Sequence, residues 1–494
     1  MNRWPLLVVF ALLGFVLALF GTYWDDAWHT EEGRDTFFIA PHLVLYAGIS
    51  LTGGALAAWA ALMAREIGVR QALRHPPLLL SVTGVALTLA AAPIDNGWHV
   101  AFGRDSVIWS PPHMLGVAGS ALIASALLLE LGSTARRPLE LTAAIVAGAA
   151  VVGVTATPVL EYETDVPQFD VAFYLPVLTA GVAFAFGLAR LALPTRFAAT
   201  WSALFYTAVM GGVALVLLAG DRVAPLLPLL VAPALAFDLT RAASFFIRAG
   251  ALTTVIFVTY VPYLNWVRSD VFLEAGDIAV GVPLALLGAA VGLALTADGS
   301  PPESRPRIGR ALGTALVLAL MLPARVLGHD PGQGEELTTA SIAAQVEDDR
   351  AAITVSPASH CDDLEAGGLT ARRAGQTVVA KLAMRGSCTL VGSVPLPERG
   401  RWFVYAELRH EGEAVETWLP VEAGGFGSVS DEDRSVYFPP EVSDPPIKLA
   451  AGVVVYALLA GVLFLISLSY RRFRPMHDGR RAAESPTSCR MKPP

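Results

Sequence analysis

At 494 residues, with 54% hydrophobic and only 16% charged positions, the chain holds more apolar surface than a water-soluble protein can bury, so it requires an apolar solvent. The formal charge of −8 gathers in one late acidic segment while arginines dot the short loops between apolar runs, a pattern that offers no basic face to nucleic acid and makes the lipid bilayer the first partner. Three cysteines in so long a chain exclude a disulfide scaffold.

The first apolar run, residues 4–23, follows Arg3 but has no small-residue cleavage site ahead of Trp24, so it reads as a retained helix rather than a removed signal. Runs of spanning length follow near 41–63, 77–95, 112–132, 141–160, 173–192, 200–220, 223–239, 249–266, 277–296, 309–327 and 449–469, about twelve in all. Arginines fill alternate loops: Arg65, Arg70 and Arg74, then Arg136 and Arg137, Arg190 and Arg196, Arg241 and Arg248, Arg305, Arg307 and Arg310, and Arg471, Arg472 and Arg474. By the positive-inside tendency these loops and both termini are cytoplasmic. The expected fold class is an all-α polytopic bundle, multi-pass in the cell membrane. Asp238 and Arg241, three apart near a cytoplasmic helix end, read as an ion pair or a snorkelling arginine. Glu161, Glu163, Asp165 and Asp170 crowd an outer loop and read as a solvated acidic surface.

Residues 328–448 turn polar and acidic, and the same topology puts them outside the cytoplasm. The runs AAITVSP, GQTVVAKLAMRGSCTLVGSVPLP and RWFVYAELRHEGEAVETWLPV are rich in β-formers and bounded by Gly and Pro, which predicts a small extracytoplasmic β-sandwich. Cys361 and Cys388 both lie in it, where a disulfide persists, and His360 and His410 then read as ordinary surface histidines. His329 adds no metal spacing to them. The expected domains are 1–132 with repeated helical hairpins, 133–327 with further spans, 328–448, a last span over 449–470, and a disordered basic tail over 471–494 that carries a free Cys489.

A direct repeat runs through the first four helices. DDAWHTEEGRDTFFIAPHLVLYAG from Asp25 aligns with DNGWHVAFGRDSVIWSPPHMLGVAG from Asp95, so Trp-His, Gly-Arg-Asp and Pro-His recur in order. Weaker echoes from Asp170 and from Asp270 lack histidines. Within each copy an aspartate stands four residues before a histidine, Asp25 to His29 and Asp95 to His99, which puts the pair on one helix face. A second histidine, His42 or His113, follows just after Pro41 or Pro112 at the start of the returning helix. Each hairpin can thus converge two imidazoles and one carboxylate on a metal and leave coordination positions open. Imidazole suits copper, zinc and iron alike, and two histidines with one carboxylate also describe non-haem iron sites, so the ligand set leaves the metal open. Trp24, Trp28 and Trp98 read as interfacial anchors. Arg34, Asp35, Arg104 and Asp105, from the repeated Gly-Arg-Asp, read as loop-holding pairs with a lesser case for orienting the ligands.

At these residues the chain resembles the C subunit of the copper-containing membrane monooxygenases, the particulate methane and ammonia monooxygenase family. That family carries Asp, His four later and His thirteen later, a pattern that falls on Asp25, His29 and His42. Its second set is Asn, His four later and His fourteen later, which falls on Asp95, His99 and His113, with Asp95 in the asparagine place adding a negative charge. The resemblance covers residues 24–119, about a fifth of the chain. It implies copper at both sites, with Asp95, His99 and His113 the reactive one, together with dioxygen, an apolar small-molecule substrate and an external electron donor. In that family the C subunit works with partner subunits, whereas here additional helices and an outer β-domain are fused into one chain, which leaves an oligomer open. Copper transport and a metal-free structural role are the alternative readings, and the former lacks a methionine or cysteine ladder across the membrane.

Overall fold

The computed structural model describes residues 4–32, 38–102, 108–164, 166–167, 169–267, 271–297, 334–347, 349–424, 429–439 and 445–484. Among these, ten helices are long and apolar enough to cross a bilayer. The chain runs through α1 (Trp4–Glu31), α2 (Ala40–Ile67), α3 (Val69–Ala72), α4 (Pro76–Phe102), α5 (Pro111–Thr134), α6 (Pro138–Ala156), α7 (Glu161–Thr164), α8 (Tyr174–Ala192), α9 (Ala198–Ala219), α10 (Val231–Leu239), α11 (Phe245–Val267) and α12 (Ala275–Leu295). Eight strands follow, and then α13 (Pro445–Glu484). Proline opens α2, α5 and α6, where its missing N–H costs nothing. α5, α6 and α8 fill the middle of the bundle, with Leu122, Leu128, Val152, Val182 and Phe186 buried in the shared core. α13 packs on α5, where the Tyr470 hydroxyl donates to Ser125 O at 2.8 Å. Large apolar side chains such as Leu215, Val258 and Trp266 point outward, as a lipid-facing surface requires.

Two expected elements differ. The stretch 223–239 is not a continuous span: residues 222–230 are non-helical and only α10 follows, nine residues long. Pro225 and Pro228 withhold the backbone donors that a helix there would need. At the other end α13 runs on to Glu484 instead of stopping near 470, because extending a formed helix costs far less than starting one. The predicted helix 309–327, His329 and the last ten residues lie outside the described residues.

α1 and α2 form one antiparallel hairpin, and α4 and α5 a second. Each crosses at a pair of glycines. A Cβ on Gly14 would stand 2.7 Å from Gly48 O and 2.5 Å from Thr52 Oγ1, and a Cβ on Gly84 would stand 2.7 Å from Gly119 O. Gly119 in turn lies against Thr88. Only hydrogen at these positions lets the backbones come so close, the small-residue packing that membrane helices use. Gly14 and Gly84 each precede the repeat aspartate by eleven residues, and Gly48 and Gly119 each follow the second histidine by six.

The polar segment is not a sandwich. Its strands β1 (Glu336–Glu347), β2 (Arg350–Pro357), β3 (Leu364–Arg373), β4 (Gln376–Met384), β5 (Leu390–Pro395), β6 (Gly400–His410), β7 (Glu413–Ala423) and β8 (Val429–Tyr437) close into one barrel in the order β1-β2-β5-β4-β3-β6-β7-β8. Sandwich and barrel both bury alternate residues, so the period-2 pattern fits either; closure comes from β1, which pairs with β2 on one side and β8 on the other. Ile342, Val355, Leu369, Trp402, Val404 and Leu419 fill the interior. Two tight hairpins set the register: Ala374–Gly375 and Glu411–Gly412 take positive φ at both turn positions, the twist that matches the flanking strands.

Cys361 and Cys388 form the expected disulfide, with Cα atoms 4.9 Å apart and a sequence separation of 27. Closing a loop of that length removes roughly 3–4 kcal/mol of unfolded-chain entropy. The Cys361→Ser/Cys388→Ser variant is therefore expected to lower the melting transition of the barrel, read by its tryptophan fluorescence. An unchanged transition would show that the bond contributes nothing to stability.

Candidate metal centre

α1 stays helical through His29, so Asp25 and His29 share one face as their spacing requires. Pro41 sits in the first turn of α2, which sets His42 there facing back towards them. One ligand atom from each of Asp25, His29 and His42 lies within 4.8 Å of the others. His42 Nε2 is 3.1 Å from Asp25 Oδ1, and the two imidazole centroids are 6.3 Å apart, inclined at 59°. Nitrogen and oxygen ligands at about 2.0–2.2 Å from a first-row ion stand roughly 3–4 Å from one another, so small side-chain rotations close this set on a metal. His29 and His42 are buried and Asp25 is half-buried. Tyr46, one turn on from His42, packs against its ring with centroids 5.7 Å apart.

The second hairpin repeats part of this geometry. α4 continues through Pro93 to Phe102, and Asp95 Oδ1 meets His113 Nε2 at 3.3 Å. His99 stands one turn beyond Asp95 on α4, but its side chain lies outside the described residues, as do Arg34, Asp35, Arg104 and Asp105. The structure thus brings together three predicted ligands in the first hairpin and two in the second. Both groups line a single cavity of about 180 Å³ between the hairpins. Its other walls are largely apolar, among them Phe15, Leu19, Leu45, Ile49, Val85 and Val117.

The acidic loop is where the sequence reading fails. Glu161 and Glu163 are buried, not solvated, because the short α7 that carries them is enclosed between the helix ends and the barrel. Glu161 Oε1 accepts the Ile108 N–H at 2.5 Å, which ties the α4–α5 connection to α7. Glu163 accepts the Tyr174 hydroxyl at 3.0 Å. Burial first, then the charges of Glu161 and Asp170, push Tyr162 well above the usual tyrosine range, and its protonated hydroxyl donates to Asp170 O at 3.2 Å. Asp170 is the exposed exception and caps the turn ahead of α8 by accepting Ala172 N–H at 2.9 Å. Asp165 lies outside the described residues.

Two residues that the sequence reading missed complete the first hairpin. Asp26 is buried, lines the cavity beside Asp25, and accepts the Thr164 hydroxyl. Thr30, one turn on, donates to Thr164 O at 3.1 Å. The available signal was the doubled acid at the end of a span, since an ionisable group at membrane depth is functional by default. On its other side α1 is held by Arg222, which reaches Glu31 at 2.8 Å and Glu32 at 2.7 Å and stacks over Trp28. Those hydrogen bonds raise the Arg222 pKa further, so the clamp stays charged.

Elsewhere, Asp238 turns to α9 instead of Arg241 and accepts the Thr200 N–H and hydroxyl at 2.9 and 2.8 Å. In the barrel, His360 and His410 meet edge to face with ring centroids 5.0 Å apart. Among the described residues, Asp25, His29 and His42 form the one grouping of three or more His, Cys, Asp or Glu with ligand atoms this close. Comparison with protein-family models, with curated proteins and with solved structures finds no match to this chain.

Proposed function

We propose that this chain is a multi-pass membrane metalloprotein that holds copper at Asp25, His29 and His42 and acts as a monooxygenase-like oxidoreductase. The observation that carries the reading is the convergence of those three side chains to within 4.8 Å in a buried place. An unmetallated cluster of two imidazoles and a carboxylate has little to contribute to packing there, whereas a transition metal uses all three. The spacing resemblance to the copper-containing membrane monooxygenases adds support for copper over zinc or iron. Asp95, His99 and His113 make the second, reactive site in this reading. The arginine-rich loops support a cytoplasmic placement of the opposite bundle end, so that the barrel and both sites face the extracytoplasmic side of the cell membrane.

Copper held there would supply one-electron redox chemistry towards dioxygen. The protein's own part is to bind. Asp25, His29 and His42 would hold the ion, and the largely apolar cavity walls suit an apolar small molecule. An external electron donor completes the reaction, since the sequence carries no redox-cofactor motif. A transport reading finds less support, because no methionine or cysteine lines the cavity among the described residues.

Elemental analysis of the protein purified in native lipid tests this directly. Copper near stoichiometric amounts, with oxygen uptake on addition of a reductant and a short-chain alkane, is the expected result. Copper without oxygen uptake would favour transport or storage, and no transition metal would leave a structural role.

A further inference from the structure

We infer that the β-barrel is a brace for the metal centre, acting through Thr164 on the helix that carries Asp25 and His29, so that Thr164 and Arg401 are positioning residues. This rests on the metal reading above. Among the described residues the barrel interior is filled by side chains such as Trp402 and Val404, which leaves its outer wall to explain.

That wall is docked on Thr164, Val166 and Pro167, and Arg399 also stacks over Phe272 in the α11–α12 connection. Arg401 on β6 donates from Nη1 to Thr164 O at 3.2 Å, while its Nε is held by Glu422 at 2.7 Å. The Ala374 N–H, in the β3–β4 turn, donates to Pro167 O at 2.6 Å. Val166 is buried among Phe403, Tyr405, Trp418 and Tyr437, which point outward from β6, β7 and β8. An apolar anchor, a backbone bond and a charged donor therefore converge on Val166, Pro167 and Thr164.

Those residues lead straight to the site. Thr164 is fully buried; its hydroxyl donates to Asp26, next to Asp25, and its carbonyl receives both Thr30 from α1 and Arg401 from the barrel. Asp26 and Thr30 flank Asp25 and His29 one residue on along the same helix, so any rotation of α1 that moved the ligands would break both Thr164 bonds. Through Glu161, the same short α7 also holds the loop of the second hairpin at Ile108. Removing a hydrogen-bond partner of a metal ligand commonly changes affinity by roughly 10–100-fold, and Thr164 acts one step further out, on the residues beside Asp25 and His29.

Cu(II) titration of the full-length protein in lipid nanodiscs, followed by electron paramagnetic resonance, tests this on wild type, Thr164→Val, Arg401→Ala, Arg401→Lys, Arg350→Ala and His42→Ala. Thr164→Val and Arg401→Ala are expected to weaken Cu(II) binding about tenfold and to shift the copper hyperfine splitting. Arg401→Lys, which keeps a donor for Thr164 O, should recover most of the affinity, and Arg350→Ala, on the exposed side of β2, should behave as wild type. Wild-type affinity and splitting in both Thr164→Val and Arg401→Ala, with binding lost in His42→Ala, would overturn the brace and leave the metal centre standing. No Cu(II) binding in wild type, or equal binding in His42→Ala, would overturn the metal reading and the brace with it.

Discussion

Alanine at both His29 and His42 is expected to remove about one metal ion per chain from protein purified in native lipid, read by elemental analysis. The expectation follows from ligand number. With both imidazoles gone, Asp25 is left as a single half-buried carboxylate, and one oxygen ligand does not retain a first-row ion through purification. His99→Ala/His113→Ala is the paired experiment at the second hairpin, where Asp95 and His113 already meet at 3.3 Å. Additive losses of about one ion each would establish two independent sites. A double variant at His29 and His42 that keeps the wild-type metal would end the three-ligand assignment. One that loses metal but also fails to extract as a monodisperse species would have to be repeated with His42→Gln, which preserves volume.

Leucine at Gly14 is expected to destabilise the first hairpin by more than the roughly 1–3 kcal/mol that overpacking usually costs, and to lower metal content although every ligand is intact. A Cβ there already collides with the backbone of α2 at 2.7 Å, and the backbone cannot move aside as a flexible side chain can. The same holds at Gly84 against α5. Gly54 is the internal control: nothing lies within 4 Å of its Cβ position, so Gly54→Ala should be neutral or should stabilise α2 by up to about 1 kcal/mol through helix propensity. Thermal unfolding in detergent, followed by intrinsic tryptophan fluorescence, separates the three. A Gly14→Leu protein that melts with wild type would mean that the hairpin crossing does not hold the site together.

Much of the bundle was legible because the signal is local. A run of some twenty apolar residues announces a helix whatever surrounds it, and prolines at 41, 111, 112 and 138 mark helix starts by removing a donor that the first turn does not need. The Asp–His spacing of four is likewise a one-helix property, so the shared face of Asp25 and His29 followed directly from the sequence. The Cys361–Cys388 bond was legible from compartment and count. The broken stretch at 222–230 was not read, although Pro225 and Pro228 were in view, because average hydropathy is blind to where backbone donors are missing.

What the sequence by itself determined is therefore the class of molecule, the hairpins, and the residue types and spacing of the first ligand set. Tertiary structure alone decided the rest. The closure of eight strands into a barrel depends on β1 finding β8 about ninety residues later, a pairing that alternation does not encode. The burial of Glu161 and Glu163, the turn of Asp26 towards Thr164, and the reach of Arg401 to the same carbonyl all depend on which elements meet around α7. The physical reason is common to these cases: periodicity reports what one element presents along its own axis, whereas the fate of a polar group is fixed by the donors and acceptors that other elements bring to it.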